Sequence, residues 1–353
     1  MDAPFYPCIL AGGSGQRFWP LSRRLLPKHL LRLVSSQTLL EQAVDRLARV
    51  VPQEQILILT NREQWESVCH VLSFLSPDQI VVEPERRDTG PAAALATGWA
   101  FRRDPQSVVG LFPADALIED TQLFVEQLQD AVGLARRVDG LVTFAITPSW
   151  PSPGFGYLEL DLAAAAVEGS SVWYPVRRFV EKPARSEAEG FLEAGNFRWN
   201  SGMFLWKCEA FLEEARLVAP ELHRFVLGFP QGEFRPYIES AFAQLPKRSI
   251  DYLLLEKARS VVAVEARFDW KDLGSWPALG ELLPKDSQGN AIQGQVYCHG
   301  SSGNVVLAQG RIVALCGVSD LVVVETHDAI LVCHKDRAEE LKGLHGRLPP
   351  HLR

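Results

Sequence analysis

The stretch LAGGSGQRFWPLSRRLLPKHLL, residues 10–31, decides the fold. It follows the apolar run CILAG (8–12), which reads as a buried strand ending in a glycine loop. Glycines at 12, 13 and 15 let backbone N–H groups approach a phosphate without side-chain obstruction. Arg17, Arg23, Arg24 and Lys28 then place four cations within twelve residues of a chain whose net charge is −7. A bound triphosphate needs that local balance. Two rival phosphate motifs fail. A dinucleotide GxGxxG would need glycine where Phe18 stands, and no Gly-Lys-Ser/Thr of a P-loop follows.

Outward from the loop, residues 6 to 146 alternate apolar runs with amphipathic stretches. Helices are expected over 38–51, 65–75, 91–101 and 121–137, and strands at ILILT (56–60), IVVEP (80–84), VVGLFPAD (108–115) and GLVTFAI (140–146). Such alternation implies a mainly parallel sheet covered on both faces, with ligands bound beyond the carboxyl ends of its strands. Residues 150–280 mix strands with helices (186–195, 208–218, 234–244, 250–258) and read as an insertion closing over the sheet edge. After the polar stretch LPKDSQGN come short apolar segments broken by Gly, Asp or Asn, the spacing of an all-β piece, then a helix over 335–344. The expected division is a catalytic domain over 1–283 and a small β-roll or β-helix-like domain over 284–353. The apolar tail is expected either to dock on the catalytic domain or to build a homodimer.

Composition narrows the function. With 47% apolar and 22% charged residues the chain buries a full core. The acidic balance excludes a general nucleic-acid binder. Six cysteines form no metal spacing, no window approaches a membrane span, and the N-terminus has no secretory pattern, so a reduced cytoplasmic setting is expected. Trp19, Trp199, Trp206, Trp270 and Trp276 are expected in the core, with stacking on base or sugar as the alternative, and His327 and His334 as ordinary surface or interface residues.

The loop resembles the pyrophosphorylase loop of sugar nucleotidyltransferases, and its longer form GGSGxRxWPLSR-x(3)-PK resembles the mannose-1-phosphate guanylyltransferase family. VEPERRDTGPAAALA (82–96), PAD (113–115), FVEKP (179–183), WNSGMFLW (199–206), SIDYLLLEK (249–257), FDWKDLGSW (268–276) and DLVVVETHDAILVC (320–333) continue that resemblance in the family's order. Departures are Gln16, Phe18, His29, Asp88, Gly90, Ala116, Lys271 and Leu273. The resemblance implies a Rossmann-like nucleotidyltransferase fold of the α/β class and transfer of GMP from GTP to mannose 1-phosphate. It implies Mg²⁺ held by Asp115 and Asp272, and a pyrophosphate clamp of Arg17 and Lys28. Leu10, Ala11, Gly12, Gly13, Glu83, Arg87, Thr89 and Asp115 would meet the nucleotide; Gly156, Glu181, Lys182 and Asn200 would meet the sugar phosphate. It also implies a short monofunctional form without the isomerase domain of longer relatives. Another nucleotide and hexose-phosphate pair, or a non-catalytic sugar-nucleotide-binding regulator, are the competing expectations.

Overall fold

In the computed structural model, which describes residues 3–353, the first strands form as their apolar runs require. β1 (Phe5–Ala11), β2 (Leu57–Asn61), β3 (Ile80–Glu83) and β4 (Val108–Pro113) run parallel in the order β3-β2-β1-β4. The crossovers carry α1 (Leu39–Leu47), α2 (Trp65–Val71) and α3 (Thr89–Phe101). α1 starts at Thr38, whose hydroxyl accepts from the Glu41 N–H while the Glu41 carboxylate accepts from the Thr38 N–H. Two otherwise unpaired donors are thereby satisfied at the helix start. α3 is buried on all sides from Gly90 to Ala100, which its alanine-rich sequence permits. β5 (Ala116–Leu117), α4 (Thr121–Arg137) and β6 (Leu141–Ile146) follow.

The next segment departs from expectation. It contains β7 (Tyr157–Leu160), β8 (Ala166–Glu168), β9 (Ser171–Val180), α5 (Arg185–Ala194), β10 (Phe197–Lys207) and α6 (Cys208–Val218), then α7 (Pro220–Leu227), α8 (Arg235–Ala241), β11 (Val261–Glu265), β12 (Lys271–Asp272) and α9 (Trp276–Gly280). Rather than only closing over the sheet edge, it supplies strands to the central sheet itself. β10 runs antiparallel between β4 and β6, and β11 runs parallel beside β6. Met203, Phe204, Leu205 and Trp206 are all buried, so β10 is apolar on both faces and belongs inside a covered sheet. β9 and β7 extend the order, and β7 also pairs with the first half of β10, so this end curls back on itself. The register of β10 against β6 shifts between Asn200 and Phe204. Above this bulge its neighbours are β7 and β6; below it they are β4 and β6. α7, begun by Pro220, was not anticipated, and the expected helix at 250–258 is a π-helical turn, Asp251–Leu255.

The tail builds a small β-helix. β13 (Ala291–Gln293), β15 (Val305–Ala308) and β17 (Leu321–Glu325) stack parallel, β14 (Val296–His299) stacks on β16 (Val313–Cys316), and β18 (Ile330–His334) adds antiparallel to β17. Asn290 and Asn304, both fully buried, form a ladder at one corner. The Asn290 Oδ1 accepts from the Asn304 N–H at 3.0 Å, and the Asn304 Oδ1 from the Leu321 N–H at 2.9 Å. Such stacking satisfies the buried turn amides that successive coils leave over. One face of the coil, with Val305, Leu307, Val322 and Val324, packs against Phe18, Trp19, Trp276 and Leu279. The tail thus docks on the glycine-loop region. A 3₁₀ turn (Lys335–Glu340) and α10 (Leu341–His345) end on that same side. No helix among the described residues is long and apolar enough to cross a membrane, and the six cysteines are free thiols. Trp19, Trp199, Trp206 and Trp276 are buried, as expected of core residues, whereas Trp270 is only partly buried against the core.

Candidate active site

β1 delivers the glycine loop to the carboxyl edge of the parallel strands, and the end of β2 ties it down. Thr60 Oγ1 donates to the Ala11 carbonyl (2.9 Å), Asn61 Nδ2 to that of Gly12 (3.2 Å) and Gln64 Nε2 to that of Gly13 (3.1 Å). The Leu10 carbonyl accepts from the Ala114 N–H, joining the loop to the tip of β4. Gly15 turns the chain at φ 60°, and a Cβ there would lie 2.4 Å from the Lys28 Cβ. Only glycine meets both the left-handed conformation and that approach. Gly15→Ala is expected to cost roughly 1–2 kcal/mol of stability from the backbone conformation alone. By displacing Lys28 it should also lower turnover by about tenfold or more. Steady-state kinetics beside urea unfolding reads both; turnover at the wild-type level would mean that Lys28 needs no such fixed seat.

Lys28 is 5% exposed, and its Nζ donates to Asp115 Oδ2 at 2.8 Å. Burial alone would raise the Asp115 carboxyl. The charge and hydrogen bond of Lys28 outweigh it and hold this group below the usual carboxylate value. The neighbouring His29 is buried and pushed down to about 4, chiefly by burial, so it is neutral at pH 7. Arg17 lies on the short turn Gln16–Phe18, its Nε 2.9 Å from Glu339 Oε2 of the tail.

Asp272 reaches the site through a ladder that no sequence pattern announced. β5 and β12 pair antiparallel, Leu117 opposite Lys271 and Ala116 opposite Asp272. This sets Asp272 across from the residue after Asp115. Both carboxylates line one pocket with Gly15, Arg17 and Lys28. Burial raises the Asp272 carboxyl, with Asp115 and Glu339 adding to the shift and Lys28 and Arg17 opposing it. Two oxygen donors brought together at an electrostatic cost fit a hard divalent cation that keeps several of its own waters. No group of three or more His, Cys, Asp or Glu side chains gathers as a metal cage among the described residues.

Glu83, the last residue of β3, lies beside the loop, its Oε2 3.3 Å from where a Cβ on Gly12 would stand. Burial, then the charge of Asp88, push it up to about 8 against the opposing Arg86. Asp88 itself sits at φ 67° and caps α3, its Oδ1 accepting from the Thr89 N–H. With ψ at −178° this is a conformation that favours glycine over both Asp and Asn, so the backbone does not explain the departure from the family's usual Asn. Arg87 and Thr89 are engaged elsewhere: Arg87 Nη1 donates to the Leu245 carbonyl, and Thr89 Oγ1 accepts from the Ile250 N–H.

A second cluster forms where β10 bulges. A Cβ on Gly156 would lie 2.5 Å from Glu181 Oε2 and 3.5 Å from the Asn200 Cβ, so these three residues are in close contact. Thr143 Oγ1 donates to Asn200 Oδ1 at 3.0 Å, orienting the amide so that its Nδ2 points to Asp251 Oδ1, 3.3 Å away. Lys182, at φ 50°, pairs with Glu181. Burial would lower its ammonium, but Glu181 overrides this and raises it. Asp251 was missed as a site residue, although it lies within the quoted SIDYLLLEK. Burial and then Glu181 push it up to about 6.

A glycine loop, two cations and two carboxylates that line one pocket at the carboxyl edge of the parallel strands make the kind of site a nucleotidyl transferase needs. Residues 6–289 match the nucleotidyl transferase family, and residues 298–348 the MannoseP isomerase/GMP-like beta-helix domain. The chain is 36% identical over 346 residues to the mannose-1-phosphate guanylyltransferase of Klebsiella pneumoniae, covering 95% of this chain and 72% of that protein. It is likewise 36% identical to the alginate biosynthesis protein AlgA of Pseudomonas aeruginosa over 95% of this chain and 70% of that one. A crystal structure from Thermus thermophilus, described as a mannose-1-phosphate geranyltransferase, superposes with a TM-score of 0.87 at 34% identity, covering 97% of this chain and 98% of that one. The chain belongs to the mannose-1-phosphate guanylyltransferase family of nucleotidyl transferases.

Proposed function

We propose that the protein transfers GMP from GTP to mannose 1-phosphate, giving GDP-mannose and pyrophosphate. The observation that carries this reading is the β5–β12 ladder, which sets Asp115 and Asp272 against the glycine loop beside Arg17 and Lys28. Mg²⁺ is the cation that this donor set suits, with Asp115 and Asp272 as its ligands. When bound, it offsets negative charge on the phosphates where the leaving group gathers it.

The attacking atom is an oxygen of the sugar phosphate, whose second pKa of about 6 leaves it largely deprotonated at neutral pH. No general base is needed. The protein's task is to bring two polyanions together and hold them in line. Gly12 and Gly13 offer backbone contacts to the nucleotide phosphates. Arg17 and Lys28 stabilise the charge that develops on the departing pyrophosphate. In the free chain Glu339 and Asp115 occupy these cations, and the phosphates replace those partners as they bind.

Lys182 meets the sugar phosphate, while Glu181 and Asn200 meet the hexose, and Gly156 serves the sugar site by leaving room for the Glu181 carboxylate and accepting from the Asn200 N–H. Guanine presents N1–H and N2–H₂ donors, and Glu83 beside the loop is the acceptor. Burial, then the charge of Asp88, raise the Glu83 carboxyl in the free chain, and only as the carboxylate does it have an acceptor oxygen for each of the two donors. Arg87 and Thr89 serve the nucleotide by holding the loop before α3 against residues 245–250. The free thiols suit a reduced cytoplasmic compartment.

Pyrophosphate release measured across nucleoside triphosphates and hexose 1-phosphates tests the assignment. Preference for GTP with mannose 1-phosphate is expected. Preference for UTP or dTTP with glucose 1-phosphate would overturn it, and binding without turnover of any pair would make the chain a regulator instead.

A further inference from the structure

The pocket around Asp115 and Asp272 is lined by three cations, and one of them comes from the far end of the chain. Besides Arg17 and Lys28, the lining includes Lys342 of α10. Two anchors hold that short helix at the loop: Leu341 is 4% exposed, in the apolar cluster with Phe18 and Trp276, and Glu339 pairs with Arg17 at 2.9 Å. The three cations differ in how their charge is spent. Lys28 is paired with Asp115 and Arg17 with Glu339. Lys342 is exposed and pairs with no carboxylate among the described residues. An unpaired ammonium facing a pocket that already holds two carboxylates and a glycine loop is placed for an anion with several charged oxygens.

We propose that Lys342 is a phosphate-contacting residue of this site, binding the β- and γ-phosphates of the nucleotide and hence the pyrophosphate product. The inference rests on the nucleotidyl transfer reading. It gives the docked tail a direct part in the reaction, because the β-helix and its terminal helix carry the third cation to the loop. Lysine suits the task as a compact point charge on a flexible stem, able to follow the pyrophosphate as it departs.

The test compares wild type, Lys342→Ala, Lys342→Arg and Lys335→Ala in the full chain with Mg²⁺. Inorganic pyrophosphate binding is read by calorimetry, KM for GTP and for mannose 1-phosphate by kinetics, and folding by the unfolding midpoint. Lys342→Ala is expected to weaken pyrophosphate binding and raise KM for GTP by roughly tenfold each, the size of one charge-assisted contact. KM for mannose 1-phosphate and the unfolding midpoint should not move. Lys342→Arg should recover most of the loss, and Lys335→Ala should behave as wild type. Unchanged pyrophosphate affinity in Lys342→Ala overturns the proposal, as does an equal loss toward mannose 1-phosphate. If the wild type prefers another substrate pair while Lys342→Ala still loses pyrophosphate, the substrate assignment fails and Lys342 keeps its role. If the wild type binds no pyrophosphate, both fail.

Discussion

Asp115→Asn and Asp272→Asn should each lower turnover at least ~100-fold with Mg²⁺ as the only metal. The amide preserves shape and removes the charge, so the loss reports the carboxylate. β5 and β12 hold Ala116 opposite Asp272 through backbone pairing, which neither substitution touches. The fold should therefore survive. Burial raises the Asp272 carboxyl, and the attraction of Lys28 opposes the repulsion of Asp115, so neutralising it removes opposing effects together, and metal-free Asp272→Asn should unfold close to wild type. A cation that binds only the folded chain raises its stability with concentration. Wild type should accordingly gain in unfolding midpoint as Mg²⁺ is added, and each variant should lose most of that gain. Turnover near wild type in either variant, or an undiminished Mg²⁺ response, would remove that residue from the metal site.

The second large effect is expected at Lys28. Lys28→Met keeps the length of the stem in a buried slot and deletes the ammonium that faces Asp115. Losing one fixed cation at the departing pyrophosphate should cost about 100-fold in turnover. Stability should change little. Replacing a buried charge by an apolar chain of similar volume is often neutral, and the partner Asp115, with a side chain 45% exposed, keeps access to water. Lys28→Arg should restore little activity, because a planar guanidinium on a differently shaped stem does not reproduce the point charge that the ammonium sets 2.8 Å from Asp115 Oδ2. A fully active Lys28→Met would show that the clamp lies elsewhere, with Arg17 and Lys342 as the remaining cations of the pocket.

Much of this site could be read before any coordinates. The strand–glycine–cation order of residues 8–28 is a local pattern, and the loop formed where that pattern required it. The helix expected over 121–137 matches α4 residue for residue, and that over 208–218 matches α6. In both, a regular apolar stripe tells which face is buried, and burial of that stripe forms the helix. Asp115 was legible as well, because a carboxylate that follows a buried strand has only the sheet edge to occupy.

Other parts were legible only as resemblance or not at all. Asp272 lies on a two-residue strand, too short to show any alternation, so its partner could not be inferred from periodicity. β10 reads as an apolar strand, yet nothing within FRWNSGMFLWK says that it runs between β4 and β6. Asp251 and Lys342 look like ordinary surface residues until Asn200 and Arg17–Glu339 are seen beside them. The amino-acid order by itself determined which segments become strands and helices and where phosphate-ready amides and cations lie, because those properties depend on neighbours a few residues away. The tertiary structure alone decided which distant carboxylates face each other and which end of the chain supplies the third cation. Such pairings are chosen by the packing of whole surfaces, and no short window of sequence contains that information.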